Sequence, residues 1–382
     1  MPSDNIPLSL YVHIPWCIQK CPYCDFNSHA LKQPPDEAAY IAHLLHDLEH
    51  DIRAETRPLT SIFIGGGTPS VFAGASIAAL LDGIRARMAF ADNIEITLEA
   101  NPGTFEQEKF RAYREAGVNR LSIGIQSFSP AQLRKLGRIH SADEAERAVK
   151  AARQAGFARI NTDLMFALPG QSVADALVDL ERAIALEPEH ISWYQLTLEP
   201  NTAFYANPPT LPDDDTQTEI YEAGSALLRR AGYRQYETSA WTRGMPSAHN
   251  LNYWQFGDYL GIGAGAHGKL TSADGIRRIS KFRAPTAYQQ ARGALANPYA
   301  DQMHSVAPEE QPFEFMMNAL RLADGVPARY LDARTALTLA DVQDVLQRLA
   351  ARGLLDADYR ERLCTTPRGF ALLNDVLAEF LP

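Results

Sequence analysis

The chain has 382 residues, 46% of them hydrophobic and 21% charged, an ordinary globular composition that excludes a disordered or fibrous protein. At that length it can bury a large core and hold more than one domain. Lys and Arg number 36 against 46 Asp and Glu, a net charge of −10, which gives no global basis for coating a nucleic acid.

The first residues, "MPSDNIPLS", lack the basic and apolar regions of an export signal, and no run of 18 apolar residues occurs anywhere, so neither export nor a transmembrane span is expected. An apolar strand, "LSLYVHI" (8–14), leads into "PWCIQKCPYCDFNSHA", where three of the four cysteines fall within eight residues. Tyr40, Ile41, Leu44, Leu45, Leu48 and Ile52 then recur at helical spacing. Five more strands follow at 61–65, 94–99, 120–126, 159–166 and 190–197, with helices expected at 75–90, 104–116, 142–155, 172–186 and 215–231. Gly117, Gly156 and Gly232 each follow a helical segment, where glycine most readily adopts a left-handed cap.

Strand and helix alternating six times imply parallel pairing with right-handed crossovers. Six units fall short of the eight of a closed barrel, so the fold class expected is α/β, an open, partial (β/α)6 barrel. In such folds the chemistry lies at the carboxyl ends of the strands. The expected organisation is a barrel over 1–232, a linking strand-and-loop region over 233–305, and a mainly α, winged-helix-like domain over 306–382, with helices near 309–323 and 338–352, a short hairpin and a last helix.

Three thiolates on one tight loop suit a four-iron cluster that keeps one iron open, since such clusters otherwise take four thiolates. The alternative is a zinc site completed by His13 or His29, although zinc knuckles come as paired C-x2-C motifs and no second pair exists here. Clustered thiols also fit a reducing cytoplasm better than a disulfide framework. The C-x3-C-x2-C spacing of Cys17, Cys21 and Cys24, with Tyr23 before the last cysteine, resembles the radical S-adenosylmethionine superfamily. In that superfamily the methionine amino and carboxylate groups chelate the open iron of a [4Fe–4S] cluster, and cleavage of the sulfonium yields a 5′-deoxyadenosyl radical. "YVHIPWC", "GGGTPS", "LEANP", "SIGIQSF" and "HNLNYWQFGDYLGIGAGAHG" further resemble the coproporphyrinogen III oxidase-like branch, over about residues 8–380, and its heme chaperones more than its oxygen-independent oxidases.

The resemblance implies a set of S-adenosylmethionine contacts. Gly66, Gly67 and Thr68 would meet the methionine amine through exposed carbonyls, although a glycine triplet also serves as a plain turn. Tyr11 and Tyr23 would flank the cofactor, and Glu99 would accept from the ribose hydroxyls or act as a cap or ion-pair partner. Gln126, Arg138 and Asp163 match residues that contact a second S-adenosylmethionine in the oxidase; here they serve such a site or the barrel itself, Arg138 pairing with a rim carboxylate.

Two functions compete: a chaperone that binds heme and passes it to an acceptor protein, and an oxidase that decarboxylates coproporphyrinogen III. Phe26 stands where the oxidase carries a further cysteine, and the first strand begins near residue 8 without the oxidase's longer amino-terminal extension. "HNLNYW" (249–254) matches the chaperones' HNxxY motif, which makes His249 the axial candidate for heme iron, the alternative being that His249 and Asn250 only hydrogen-bond in a loop. Tyr253 is a second candidate ligand or a packing aromatic, and the imidazole of His267 ranks below that of His249. Trp241, Tyr253, Trp254, Phe256 and Tyr259 would line a porphyrin face or pack in a core. The arginines of the last domain alternate with acids, so no nucleic-acid partner is expected. A monomer or a cluster-dependent dimer, with at most peripheral contact with a membrane, is compatible with the sequence.

Overall fold

The alternation of apolar strands and amphipathic helices folds into one continuous sheet in the computed structural model, which describes residues 6–53 and 55–382. Residues 1–5, the start of the stretch read for an export signal, lie outside the described residues. β1 (Leu8–Ile14), β2 (Leu59–Gly66), β3 (Phe90–Ala100), β4 (Arg120–Gln126), β5 (Ile160–Phe166) and β6 (His190–Gln195) run parallel in chain order. In β1 every residue but Tyr11 is buried, as a parallel strand covered on both faces requires. The outer cover comes from α1 (Glu37–Asp51), α2 (Gly74–Arg85), α3 (Thr104–Ala116), α4 (Ala142–Gln154), α5 (Val173–Ala185) and α6 (Asp214–Arg230). Their starts are set locally. Asp36 and Asp213 cap α1 and α6, and capping boxes pair Ser141 with Glu144 and Ser172 with Asp175. Gly117 closes α3 at a φ of 110°. Among the described residues no helix is long and apolar enough to cross a membrane.

The stretch expected as a link supplies both edges of the same sheet. β7 (Arg234–Glu237) and β8 (Ala240–Thr242) extend it beyond β6. β9 (Asp258–Ile262) lies parallel to β1 on the other side, so seven strands run parallel, and β10 (His267–Ser272), β11 (Gly275–Lys281) and β12 (Ala300–Ser305) follow it antiparallel. β9 reads as loop because of the glycines in and around it, and Gly261 is needed for packing: a Cβ there would stand 1.9 Å from His267 O.

α7 (Ala248–Trp254) precedes β9 and packs against β2, and α8 (Gln311–Ala319) and α9 (Leu339–Ala351) belong to the carboxyl-terminal unit. There Phe315, Met316, Leu331, Leu346, Leu349 and Val376 form a second core that takes in Tyr236, Phe256 and Ile276 from the sheet region. The expected hairpin is reduced to a bridge from Leu355 to Thr365, and Arg362–Leu363 pairs instead with Val326–Pro327. Residues 356–362 are exposed apart from Tyr359, so no apolar face holds a longer wing.

Candidate functional site

The loop after β1 folds back on itself. Trp16–Cys17 pairs with His29–Ala30 in a two-residue parallel bridge that closes the loop around Cys21 and Cys24. All the cysteines are free thiols; Cys17 is buried, Cys21 and Cys24 are half-buried. Burial pushes the Cys17 and Cys24 thiols up, opposed by hydroxyl hydrogen bonds from Thr68 and Ser28 respectively. Asn27 braces the loop, its Nδ2 donating to Ala264 O and Arg283 O at 2.9 and 2.8 Å. His13 has both ring nitrogens engaged, Nδ1 with the Tyr11 hydroxyl and Nε2 with Asn27 O, each at 2.9 Å. Burial lowers its pKa to about 4. A zinc site completed by His13 therefore has no ring nitrogen to draw on. Cys364 lies in the carboxyl-terminal unit, where its thiol reaches Ala323 O and Thr365 O.

The glycine loop after β2 docks directly on the cysteine loop: Gly67 N–H donates to Ile14 O at 2.8 Å and Thr68 N–H to Trp16 O at 2.7 Å. That approach explains the glycines. A Cβ on Gly67 would sit 2.5 Å from Trp16 O, and one on Gly66, whose φ is 115°, 2.6 Å from the His13 ring. Glu99 Oε2 accepts from Gly66 N–H at 3.1 Å. Burial, with Asp163 beside it, raises the Glu99 carboxyl to about 8. Asp163 accepts from Ser122 Oγ and Asn161 Nδ2 at 2.9 and 2.8 Å. Gln126 ends β4 at a φ of 69° and accepts from the Tyr194 hydroxyl at 2.7 Å. Tyr23 packs against Phe204, and burial raises its phenol pKa. Arg138 reaches Cys21 Sγ, Asn101 Oδ1 and Gly124 O; its expected rim carboxylate is not among these partners. A cavity of about 190 Å³ lined by Ile18, Cys21, Asn101, Arg138, Ile139 and His140 opens beside the loop.

Three free thiols, a glycine-built backbone cradle, the half-buried Glu99 carboxyl and this cavity meet at the carboxyl ends of β1 to β4. The donor set fits a four-iron cluster with one open iron and a zwitterionic ligand beside it.

His249 lies on the same face of β2, nearer its amino-terminal end, with its ring 6.5 Å from that of Tyr11. Glu95 anchors the start of α7 by accepting from Ser247 Oγ, Ala248 N–H and His249 N–H. The imidazole is 2% exposed. It stacks on Phe63 at 5.0 Å and meets Tyr253 edge-on at 4.6 Å. Its Nδ1 bonds the Ser61 hydroxyl at 3.0 Å, and its Nε2 is buried without a partner. Burial lowers its pKa to about 3, so the ring is neutral. Tyr253 lies between His249 and Tyr259 and lines a second cavity of about 190 Å³ with Trp254, Phe256, Tyr259, Lys269 and Arg278. Trp241 is buried in the main core and His267 is exposed, so neither joins this group.

Sequence reasoning missed Asn27, Ser61 and Asn101. Ser61 was detectable as a lone hydroxyl opening an apolar run; the other two act through tertiary hydrogen bonds that no local pattern marks.

A thiolate triad at the end of the first strand of an open β/α barrel defines a radical S-adenosylmethionine protein. Residues 11–183 match the Radical SAM superfamily and residues 306–372 the HemN C-terminal domain. The chain is 51% identical over 380 residues to the heme chaperone HemW of Escherichia coli, covering 98% of each. It is 50% identical to that of Haemophilus influenzae, again over 98% of each, and 36% identical to that of Bacillus subtilis, over 98% of this chain and 99% of the relative. It belongs to the HemW family. The structure of coproporphyrinogen III oxidase (HemN) from Escherichia coli superposes with a TM-score of 0.83 at 23% identity, covering 99% of this chain and 90% of that one, which shows a shared fold. The radical S-adenosylmethionine domain brings a [4Fe–4S] cluster and S-adenosylmethionine as its cofactors.

Proposed function

We propose that this chain binds heme and transfers it to an acceptor protein, in a reducing cytoplasm. The observation that carries this reading is the 51% identity, over nearly the whole of both chains, to a heme chaperone. The oxidase alternative is supported by shared fold alone, and Phe26, 58% exposed on the cysteine loop, replaces the oxidase's extra cysteine.

In this reading Cys17, Cys21 and Cys24 hold three irons. The loop of Gly66, Gly67 and Thr68 receives the methionine end of the cofactor, and Glu99 faces its ribose. Tyr11 and Tyr23 close the two sides, and Gln126, Arg138 and Asp163 shape the floor. When bound, the cluster supplies one electron to the sulfonium of S-adenosylmethionine.

His249 has the features of an axial ligand: a neutral ring, one nitrogen anchored by Ser61 and the other without a partner. Tyr253 meets the ring edge-on and lines the second cavity, so in this reading heme would approach His249 from that cavity. A paired assay on the anaerobically reconstituted protein tests the function. Heme binding followed by transfer to an apo-acceptor is expected. Conversion of coproporphyrinogen III to protoporphyrinogen IX would overturn it. An unchanged heme Soret spectrum in His249→Ala would remove that residue from the ligand set.

A further inference from the structure

We propose that Arg138 sets the reduction potential of the cluster through the sulfur of Cys21. The inference rests on the reading that Cys17, Cys21 and Cys24 hold a [4Fe–4S] cluster.

Arg138 follows the short helix Pro130–Lys135 and turns its guanidinium inward. One arm, Nη1, donates to Cys21 Sγ at 3.7 Å. The other, Nη2, donates to Asn101 Oδ1 at 2.7 Å and to Gly124 O at 2.6 Å. Asn101 is itself fixed, its Nδ2 donating to Thr68 Oγ1 at 3.2 Å. Both arms are thereby held, and the fork is aimed at the sulfur by groups from β3, β4 and the glycine loop. Nε is closed off from solvent and has no partner.

Among the described residues the hydrogen-bond partners of Arg138 are a thiol, an amide and a backbone carbonyl. None of these partners carries a full negative charge, and thiolates bound to iron would place negative charge beside the cation. A cluster gains one negative charge on reduction, so a fixed cation hydrogen-bonded to one of its sulfurs stabilises the reduced form more than the oxidised form. Arg138 therefore raises the potential and eases delivery of the one electron the cofactor chemistry needs.

The test is a mediated dithionite titration of the reconstituted protein, followed by EPR of the reduced cluster without S-adenosylmethionine, for wild type, Arg138→Gln and Arg138→Lys. Iron and sulfide are counted in each sample. Arg138→Gln is expected to lower the ratio of reduced to oxidised cluster at a fixed poise about tenfold, 59 mV for a one-electron couple. Arg138→Lys, which keeps the charge but not the fork, should fall between. A fully loaded Arg138→Gln with the wild-type potential overturns the proposal, as does a shift that appears only when S-adenosylmethionine is present. If Arg138→Gln does not load, Arg138→Lys is read alone, and an unchanged potential overturns it. Wild-type protein that takes up no cluster overturns the underlying reading instead.

Discussion

Replacing Lys281 by Met removes the cation from a buried group that braces the cysteine loop from behind. Lys281 Nζ lies 2.6 Å from Asp47 Oδ1 and 2.7 Å from Asp51 Oδ2, with side-chain exposures of 1%, 0% and 6%. Tyr288 and Asn297 complete the group, donating to Asp47 at 2.7 and 2.8 Å. Tyr288 also accepts from Gly263 N–H, beside the Ala264 carbonyl that holds Asn27. Met matches the length of the lysine stem but leaves two carboxylates buried together, an arrangement that costs about 3–5 kcal/mol. Burial raises the Asp51 carboxyl pKa even with the lysine opposing it, and losing Lys281 raises it further. A carboxyl whose folded pKa lies above its unfolded value weakens the fold as pH rises, so the deficit should be about 1–2 kcal/mol smaller at pH 5 than at pH 7.5. Urea unfolding of the cluster-free wild type and variant at both pH values measures this. A loss below about 1 kcal/mol at pH 7.5, the scale of an exposed ion pair, or an equal loss at both pH values, would refute the reasoning.

Glu99, with its carboxyl raised to about 8, is mostly protonated at pH 7 and mostly ionised at pH 9. If its carboxylate accepts from the cofactor's ribose, affinity for S-adenosylmethionine should rise about tenfold across that range. Equilibrium dialysis should show the rise in wild type and none in Glu99→Gln; a flat wild-type profile separates Glu99 from the cofactor. Gly67→Ala forces a Cβ to within 2.5 Å of Trp16 O, a backbone atom that cannot swing aside. It should pry the glycine loop off the cysteine loop, lowering both the urea midpoint and the iron content after reconstitution. Retention of both would show that the loops do not depend on this approach.

The sequence by itself determined the elements and the chemistry. Alternating apolar strands and amphipathic helices settle six parallel strands within a few residues of their ends, because period and capping are local properties. The spacing of Cys17, Cys21 and Cys24 marks the proposed cluster ligands for the same reason, since one loop carries all three. The tertiary structure decided what depends on distant partners. β9 joins as a seventh parallel strand although the glycines in and around it resemble a loop, because its pairing partner β1 lies some 250 residues earlier in the chain. Gly66 and Gly67 serve the close approach of Trp16 and His13, a contact between two loops that neither loop's composition reveals. His249 and Arg138 were both visible as polar residues in quoted motifs. Only folding shows that one is a neutral ring met edge-on by Tyr253 and the other a cation turned toward Cys21, because burial and counter-charge are properties of what surrounds a side chain in space.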